Sequence, residues 1–224
     1  MKLMELYRRL LRHFGRQNWW PARTRFEMMV GAILTQRTRW ENAERAVKNL
    51  EKAGLLDPVA LAKTPIEKLE KLVRPAGFYK LKARRLLSLA KHIAGEYQGD
   101  VDAFLSRPPE ELRNELLSIY GVGKETADSI LLYAADKLYF PVDAYTKQIF
   151  HRMGLTPKNI SYERLRGFIE ENIDRNLAVY KEFRALLVVL GKTYCRKNPL
   201  CQKCPISSLC RREGGGKAEM PTKG

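Results

Sequence analysis

Long apolar runs are missing from this chain. Among the longest is Ala185 to Leu190, far short of the ~20 residues that a membrane-spanning helix needs. An export signal is missing too: Arg8, Arg9 and Arg12 interrupt the apolar positions near the start, and Leu3, Tyr7, Leu10, Leu11 and Phe14 fall on one helical face. Cysteine is absent before residue 195, and all four cysteines stand within 195–210, which argues against a secreted disulfide scaffold. Strand-like alternation is scarce, and no tandem repeat is present. Acidic residues are in deficit, 25 Asp+Glu against 41 Lys+Arg, for a net charge of +16. Such an excess points to a polyanionic partner, but charge alone does not choose between DNA, RNA and an anionic membrane. The absences together predict an intracellular protein, and 224 residues suffice for one large or two small domains.

What is present reads almost throughout as helix. Phe26, Met29, Val30, Ile33 and Leu34 form a buried stripe. Thr38-Arg39-Trp40-Glu41 fits a capping box opening the next helix. Asp57-Pro58 and Thr64-Pro65 each read as a cap followed by proline at the first helical position. Pro75-Ala76-Gly77 stops the second of these helices. The helix after Gly77 opens with Lys80, Lys82, Arg84 and Arg85, which read as a phosphate-facing surface. The tail from Glu213 is polar and glycine-rich, and is expected to be disordered over 213–224.

The central stretch runs from Leu116 to Asp143. Ile119-Tyr120-Gly121-Val122-Gly123-Lys124-Glu125 places two glycines, one residue apart, between two helical runs. Gly121 and Gly123 suit a hairpin with no room for side chains. The first amides of the second helix, with Lys124 beside them, are a ready phosphate site. Asp143 then precedes the next helix, where it suits an N-cap. Cys195, Cys201, Cys204 and Cys210 are spaced C-x5-C-x2-C-x5-C. Four thiolates this close can surround one metal centre, and the spacing leaves a [4Fe–4S] cluster and zinc close to even.

The hairpin, the Asp and the cysteine loop, in that order, resemble the endonuclease III (helix-hairpin-helix) superfamily of DNA glycosylases over roughly residues 3 to 212. The resemblance implies an all-α fold of two helical domains with a DNA-binding cleft between them. It places a six-helix domain with the hairpin at 22–137, and an iron–sulfur cluster domain at 1–21 and 138–212. It implies a [4Fe–4S] cluster on the four cysteines, although the first spacing is one residue shorter than is common there. The partner implied is double-stranded DNA with a damaged base, bound by a monomer in the cytoplasm and nucleoid. Family members flip a damaged base out of the stack and cut its N-glycosidic bond.

On this resemblance Asp143 matches the catalytic aspartate, stabilising an oxocarbenium-like sugar and orienting water. Gln36 matches a residue that fills the gap left by the flipped base, and Phe78 a wedge that enters the stack. Glu125 stands where bifunctional members carry the lysine that forms a Schiff base and permits strand cleavage. A carboxylate cannot do so, and Lys124 lies about 100° around the helix. A monofunctional glycosylase, without efficient lyase activity, is therefore expected. Lys124-Glu125-Thr126-Ala127-Asp128, Trp19-Trp20-Pro21, Gly31-Ala32-Ile33-Leu34-Thr35-Gln36 and Pro75-Ala76-Gly77-Phe78-Tyr79 are similar to the 3-methyladenine DNA glycosylase III branch. That similarity assigns Trp19, Trp20 and Trp40 to a base pocket, where aromatic faces attract a cationic alkylpurine. Two alternatives stand beside it: a glycosylase for uracil, thymine mismatches or oxidised pyrimidines, and a non-catalytic protein that binds DNA structures.

Overall fold

The computed structural model describes residues 3–212, so the 213–224 tail lies outside the described residues. The described residues are helical, with no strand among them. The chain divides into two compact units: one comprises the residues before Trp20 together with those from Val142 onward, the other Trp20–Pro141.

The first unit holds α1 (Leu3–Phe14), and after Val142 come three more helices. The second holds eight: α2 (Arg25–Leu34), α3 (Trp40–Lys52), α4 (Pro58–Ala62), α5 (Ile66–Val73), α6 (Tyr79–Glu96), α7 (Val101–Ser106), α8 (Pro109–Ser118) and α9 (Lys124–Tyr133). The remaining helices of the first unit are α10 (Ala144–Arg152), α11 (Tyr162–Asn172) and α12 (Leu177–Thr193). Among the described residues none of these is long and apolar enough to cross a membrane.

In the second unit α2 lies at the centre. Eight of its ten residues are buried, and it packs on α3, α6 and α9. The apolar stripe read from Phe26 to Leu34 explains this, because a helix apolar over most of its surface is driven inside. Residue pair Arg113 and Asp128 joins α8 to α9 in the same core. The guanidinium donates from Nε to Oδ1 at 2.6 Å and from Nη2 to Oδ2 at 3.3 Å, and Asp128 is fully buried. A two-point ion pair of this kind fixes orientation as well as distance.

Two of three expected caps differ. Asp57 caps α4 as expected, accepting from Ala60 N, with Pro58 at the first helical position. At α3, however, the cap residue is Arg39 with no side-chain bond, and Thr38 Oγ1 accepts from Asn42 Nδ2 at 3.5 Å. At α5 the cap residue is Pro65, while Thr64 turns back and donates to Ala60 O at 2.8 Å. Hydroxyls can bond backward to the preceding turn as readily as forward, so a threonine before a helix does not settle which helix it serves.

Candidate functional site

The hairpin between α8 and α9 closes through Val122 N donating to Ile119 O at 3.0 Å. Gly121 has φ +86°, and a β-carbon built there would lie 2.1 Å from Arg85 Cγ. Glycine is required at this position twice over, by backbone and by contact. Gly123 corrects the expectation: its φ is −93° with ψ 177°, and nothing lies within 4 Å of a β-carbon. Backbone strain does not demand glycine there. Gly123 is the N-cap of α9 and, lacking a side chain, makes no side-chain cap at a helix start of the kind that favours anions. Lys124 and Glu125 are exposed in that first turn, and Tyr120, just before Gly121, is 57% exposed.

Gln36, two residues past α2, is tied into this hairpin. Its Nε2 donates to Gly121 O at 3.1 Å and to Thr126 Oγ1 at 3.0 Å, and its Oε1 accepts from Arg85 Nη1. Phe78 is 62% exposed and holds a left-handed backbone, φ 46° and ψ 35°, as the N-cap of α6. A large apolar side chain held in solvent on a strained backbone marks a contact surface rather than a core. Of the four cations expected on a phosphate-facing surface, Lys80 and Arg84 are exposed. Lys82 is not: it is 1% exposed, and its ammonium donates to Leu34 O at 2.8 Å and Ala76 O at 2.7 Å. Lys82 and Arg85 are separated by three positions on α6, so they share the inward face. Burial, and then the charge of Arg85, lower the Lys82 pKa to about 8.

Of the three tryptophans, two come together within the second unit. Trp20 and Trp40 meet edge to face at 5.6 Å, and Tyr133 packs on Trp20 at the same distance. Trp19 belongs to the first unit. Trp20 and Trp40 line a cavity of about 370 Å³, within the usual range for small-ligand pockets. Glu27, Glu44 and Glu51 also line it, against Arg23 and Lys48, leaving the wall one negative charge in excess. Glu27 Oε2 accepts from Arg23 N at 3.0 Å, Glu44 pairs with Lys48 at 2.8 Å, and Glu51 pairs with Arg23. Gly31 abuts the Trp20 indole: a β-carbon there would lie 3.2 Å from Nε1. Sequence reasoning missed Tyr133 and Gly31; the legible signal was a glycine inside an apolar helix, which often marks a close approach.

In the first unit Asp143 is the N-cap of α10. Its Oδ1 accepts from Thr146 N at 2.6 Å, and its Oδ2 lies 3.2 Å from Arg184 Nη2 on α12. Asp143 is 8% exposed. Arg184 was not legible, because a single arginine on a mixed helix carries no mark of its partner.

Cys195, Cys201, Cys204 and Cys210 line one cavity with Ile149, Ile206 and Arg152. Arg152 Nη1 donates to Cys195 O at 3.1 Å and Arg196 O at 2.8 Å, and Gln148 Nε2 donates to Cys195 O. Burial, then the nearness of the other three sulfurs, raise the pKa of Cys204; at Cys210, burial and two of those sulfurs do so. Four soft donors lining one cavity, two of them with raised pKa values, suit a cationic metal group that stabilises thiolates. Among the described residues no three His, Cys, Asp or Glu side chains are gathered as the ligands of a single ion.

One helical chain thus carries a glycine hairpin between two helices, an exposed Phe78 and a capping carboxylate at Asp143, and comparison with known proteins gives its class. Residues 30–175 match the model of the HhH-GPD superfamily base excision DNA repair protein family. The chain is 48% identical over 210 residues to an inferred DNA repair glycosylase of Methanocaldococcus jannaschii, covering 93% of this chain and 95% of that one. It is 30% identical to endonuclease III of Thermotoga maritima, covering 98% of each. Among solved structures, the H. pylori 3-methyladenine DNA glycosylase bound to 1,N6-ethenoadenine superposes with a TM-score of 0.77 at 29% identity, covering 86% of this chain and 98% of that one. The chain belongs to the HhH-GPD superfamily of base excision DNA repair proteins.

Proposed function

We propose that this chain is a monofunctional DNA glycosylase that hydrolyses the N-glycosidic bond of a flipped alkylated purine, 3-methyladenine above all. The Trp20–Trp40 cavity with its acidic excess carries the substrate reading. An N3-alkylated adenine is a cation, and both aromatic faces and surplus carboxylates favour a cation over the neutral base. The H. pylori relative, by its name, acts on 3-methyladenine.

The bond between C1′ and the purine nitrogen breaks, and its electron pair leaves with the base, which departs neutral. Asp143 stabilises the positive sugar and orients the water, whose oxygen forms the new bond to C1′ and whose displaced proton passes to solvent. Glu125, exposed in the first turn of α9, has no amine with which to attack C1′, which supports hydrolysis without a Schiff base. Gly121, Gly123, Lys124 and Lys80 serve the DNA backbone; Gln36 and Phe78 enter the stack. Cys195, Cys201, Cys204 and Cys210 would hold a [4Fe–4S] cluster. When bound, it supplies order to a loop rich in cations. The choice of cluster over zinc rests on the resemblance to endonuclease III, and the four cysteines that line one cavity are compatible with it.

The test is a base-release screen over defined lesion duplexes, with borohydride present in a parallel set. Release of 3-methyladenine with no trapped adduct is the expected result. Release confined to uracil or oxidised pyrimidines refutes the cavity argument, a borohydride-trapped adduct refutes the role of Glu125, and binding without release from any lesion refutes the enzyme.

A further inference from the structure

Lys82 is the least expected residue of the second unit. One ammonium, buried to 1% exposure, bonds two carbonyls from separate parts of the chain. Leu34 ends α2, and Ala76 ends the 3-10 turn Arg74–Ala76. Each carbonyl lies two residues before a residue of the proposed stack-entering pair: Leu34 before Gln36, Ala76 before Phe78. The Lys82 backbone adds a third tie, its N–H donating to Phe78 O at 3.0 Å.

Both loops are strained beyond these carbonyls. Arg37 has φ 53° and Phe78 φ 46°, positions that non-glycine residues seldom adopt. Strained loops hold their shape only where their surroundings fix them. Lys82 supplies such a fixed point for both at once. Among the described residues no carboxylate pairs with it, and the charge it feels most, that of Arg85, is of like sign. A buried cation in that setting is costly, whereas methionine would fill similar space without charge. The cost makes sense if the two carbonyls must be held at one fixed separation.

We propose that Lys82 is a positioning residue for base extrusion, setting the separation between the Gln36 loop and the Phe78 loop so that both side chains meet the opened stack together. This rests on the reading of the chain as a base-extruding glycosylase. It gives the interior lysine a role distinct from that of the phosphate-facing cations Lys80 and Arg84.

The experiment uses the full chain and a duplex carrying 2-aminopurine beside a stable abasic analogue, so fluorescence reports unstacking without any bond cleavage. Lys82→Met is expected to reduce the unstacking signal about tenfold or more, since small misplacements of distant groups cost that much or greater. Affinity for undamaged duplex should change by less than about threefold, the contacts there being electrostatic. Phe78→Ala in the Lys82→Met background should then add little, because coupled residues are not additive. Should Lys82→Met fail to fold by thermal melting, Lys82→Gln carries the same comparison: it keeps two N–H donors on a shorter stem and should show a partial loss. Wild-type unstacking in the folded variant, or losses from Lys82 and Phe78 that multiply, would overturn the proposal. Unstacking by the wild type together with no base release in the separate lesion-duplex screen refutes the glycosylase reading alone; base release in that screen with no unstacking here refutes the positioning role alone.

Discussion

Asp143→Asn separates chemistry from capping. Asparagine retains an oxygen that can accept from Thr146 N, now at 2.6 Å, and it caps helices about as well as aspartate. What it loses is the charge facing Arg184 at 3.2 Å. Its carbonyl oxygen can still accept from that guanidinium, so the penalty is the difference between a charged and a neutral bond in a buried place, about 2 kcal/mol. For a chain of this size that lowers Tm by about 4–8 °C. A domain stable by about 5–15 kcal/mol remains folded at 25 °C after such a loss. Turnover is a separate matter. Removing a group that faces charge developing in the transition state costs about 10²–10³ in rate. Single-turnover base release at saturating protein therefore falls by about that factor while the melt shifts only modestly. A folded Asp143→Asn that releases base within about threefold of wild type, under 1 kcal/mol of barrier, would refute the catalytic reading and leave Asp143 as a cap.

Two further predictions follow from particular geometries. Gly121→Ala must hold φ near +86° and push Arg85 away from Gln36, so it should cost about 1–2 kcal/mol in stability and weaken duplex binding. Gly123→Ala meets neither obstacle and should melt within about 0.5 kcal/mol of wild type, yet bind duplex less tightly if phosphates approach the α9 amides closely. Melting and filter binding on both variants check this, and equal effects from the two would contradict it. Lys82 sets a pH signature. Its folded pKa, about 8, lies below the ordinary 10.5, so between these values the unfolded chain binds more protons and stability rises with pH. The raised pKa values of Cys204 and Cys210 act oppositely from about 9 upward and those of Tyr7, Tyr97 and Tyr180 above about 10, but they are common to both chains, so a comparison of wild type with Lys82→Met isolates Lys82 across pH 8–10. The difference between wild type and Lys82→Met in urea unfolding should move in favour of wild type as pH rises across that window; a constant difference would show that Lys82 stays charged throughout.

Residue by residue, periodicity and turn chemistry reached far. The stripe from Phe26 to Leu34 fixed α2 as a central helix, Asp57-Pro58 placed the start of α4, and Asp143 was recognisable as a cap before α10 was seen. These are local facts, settled by neighbours within one or two turns. The errors lie where a side chain had two local options. Thr38 and Thr64 could serve either flanking segment, and both bond elsewhere than expected. Gly121 and Gly123 look alike in sequence, but only Gly121 is held by backbone and by Arg85.

Cations divide the same way. Lys80, Lys82, Arg84 and Arg85 read as one basic run, and nothing in that run says which face is inward. Helical geometry puts Lys82 and Arg85 on one side, but only the position of α2's last carbonyl and of the hairpin decides that this side is the interior. The sequence by itself determined a helical, basic chain with a hairpin, a capping carboxylate and four clustered thiols, because periodicity, capping and ligand spacing are properties of short stretches; DNA as the partner came from the family resemblance. Tertiary structure alone decided that Gln36 is bonded to the hairpin, that Trp20 meets Trp40 across a cavity, that Arg184 faces Asp143, and that Lys82 is buried. Each of these depends on where two distant segments come to rest, which no local pattern encodes.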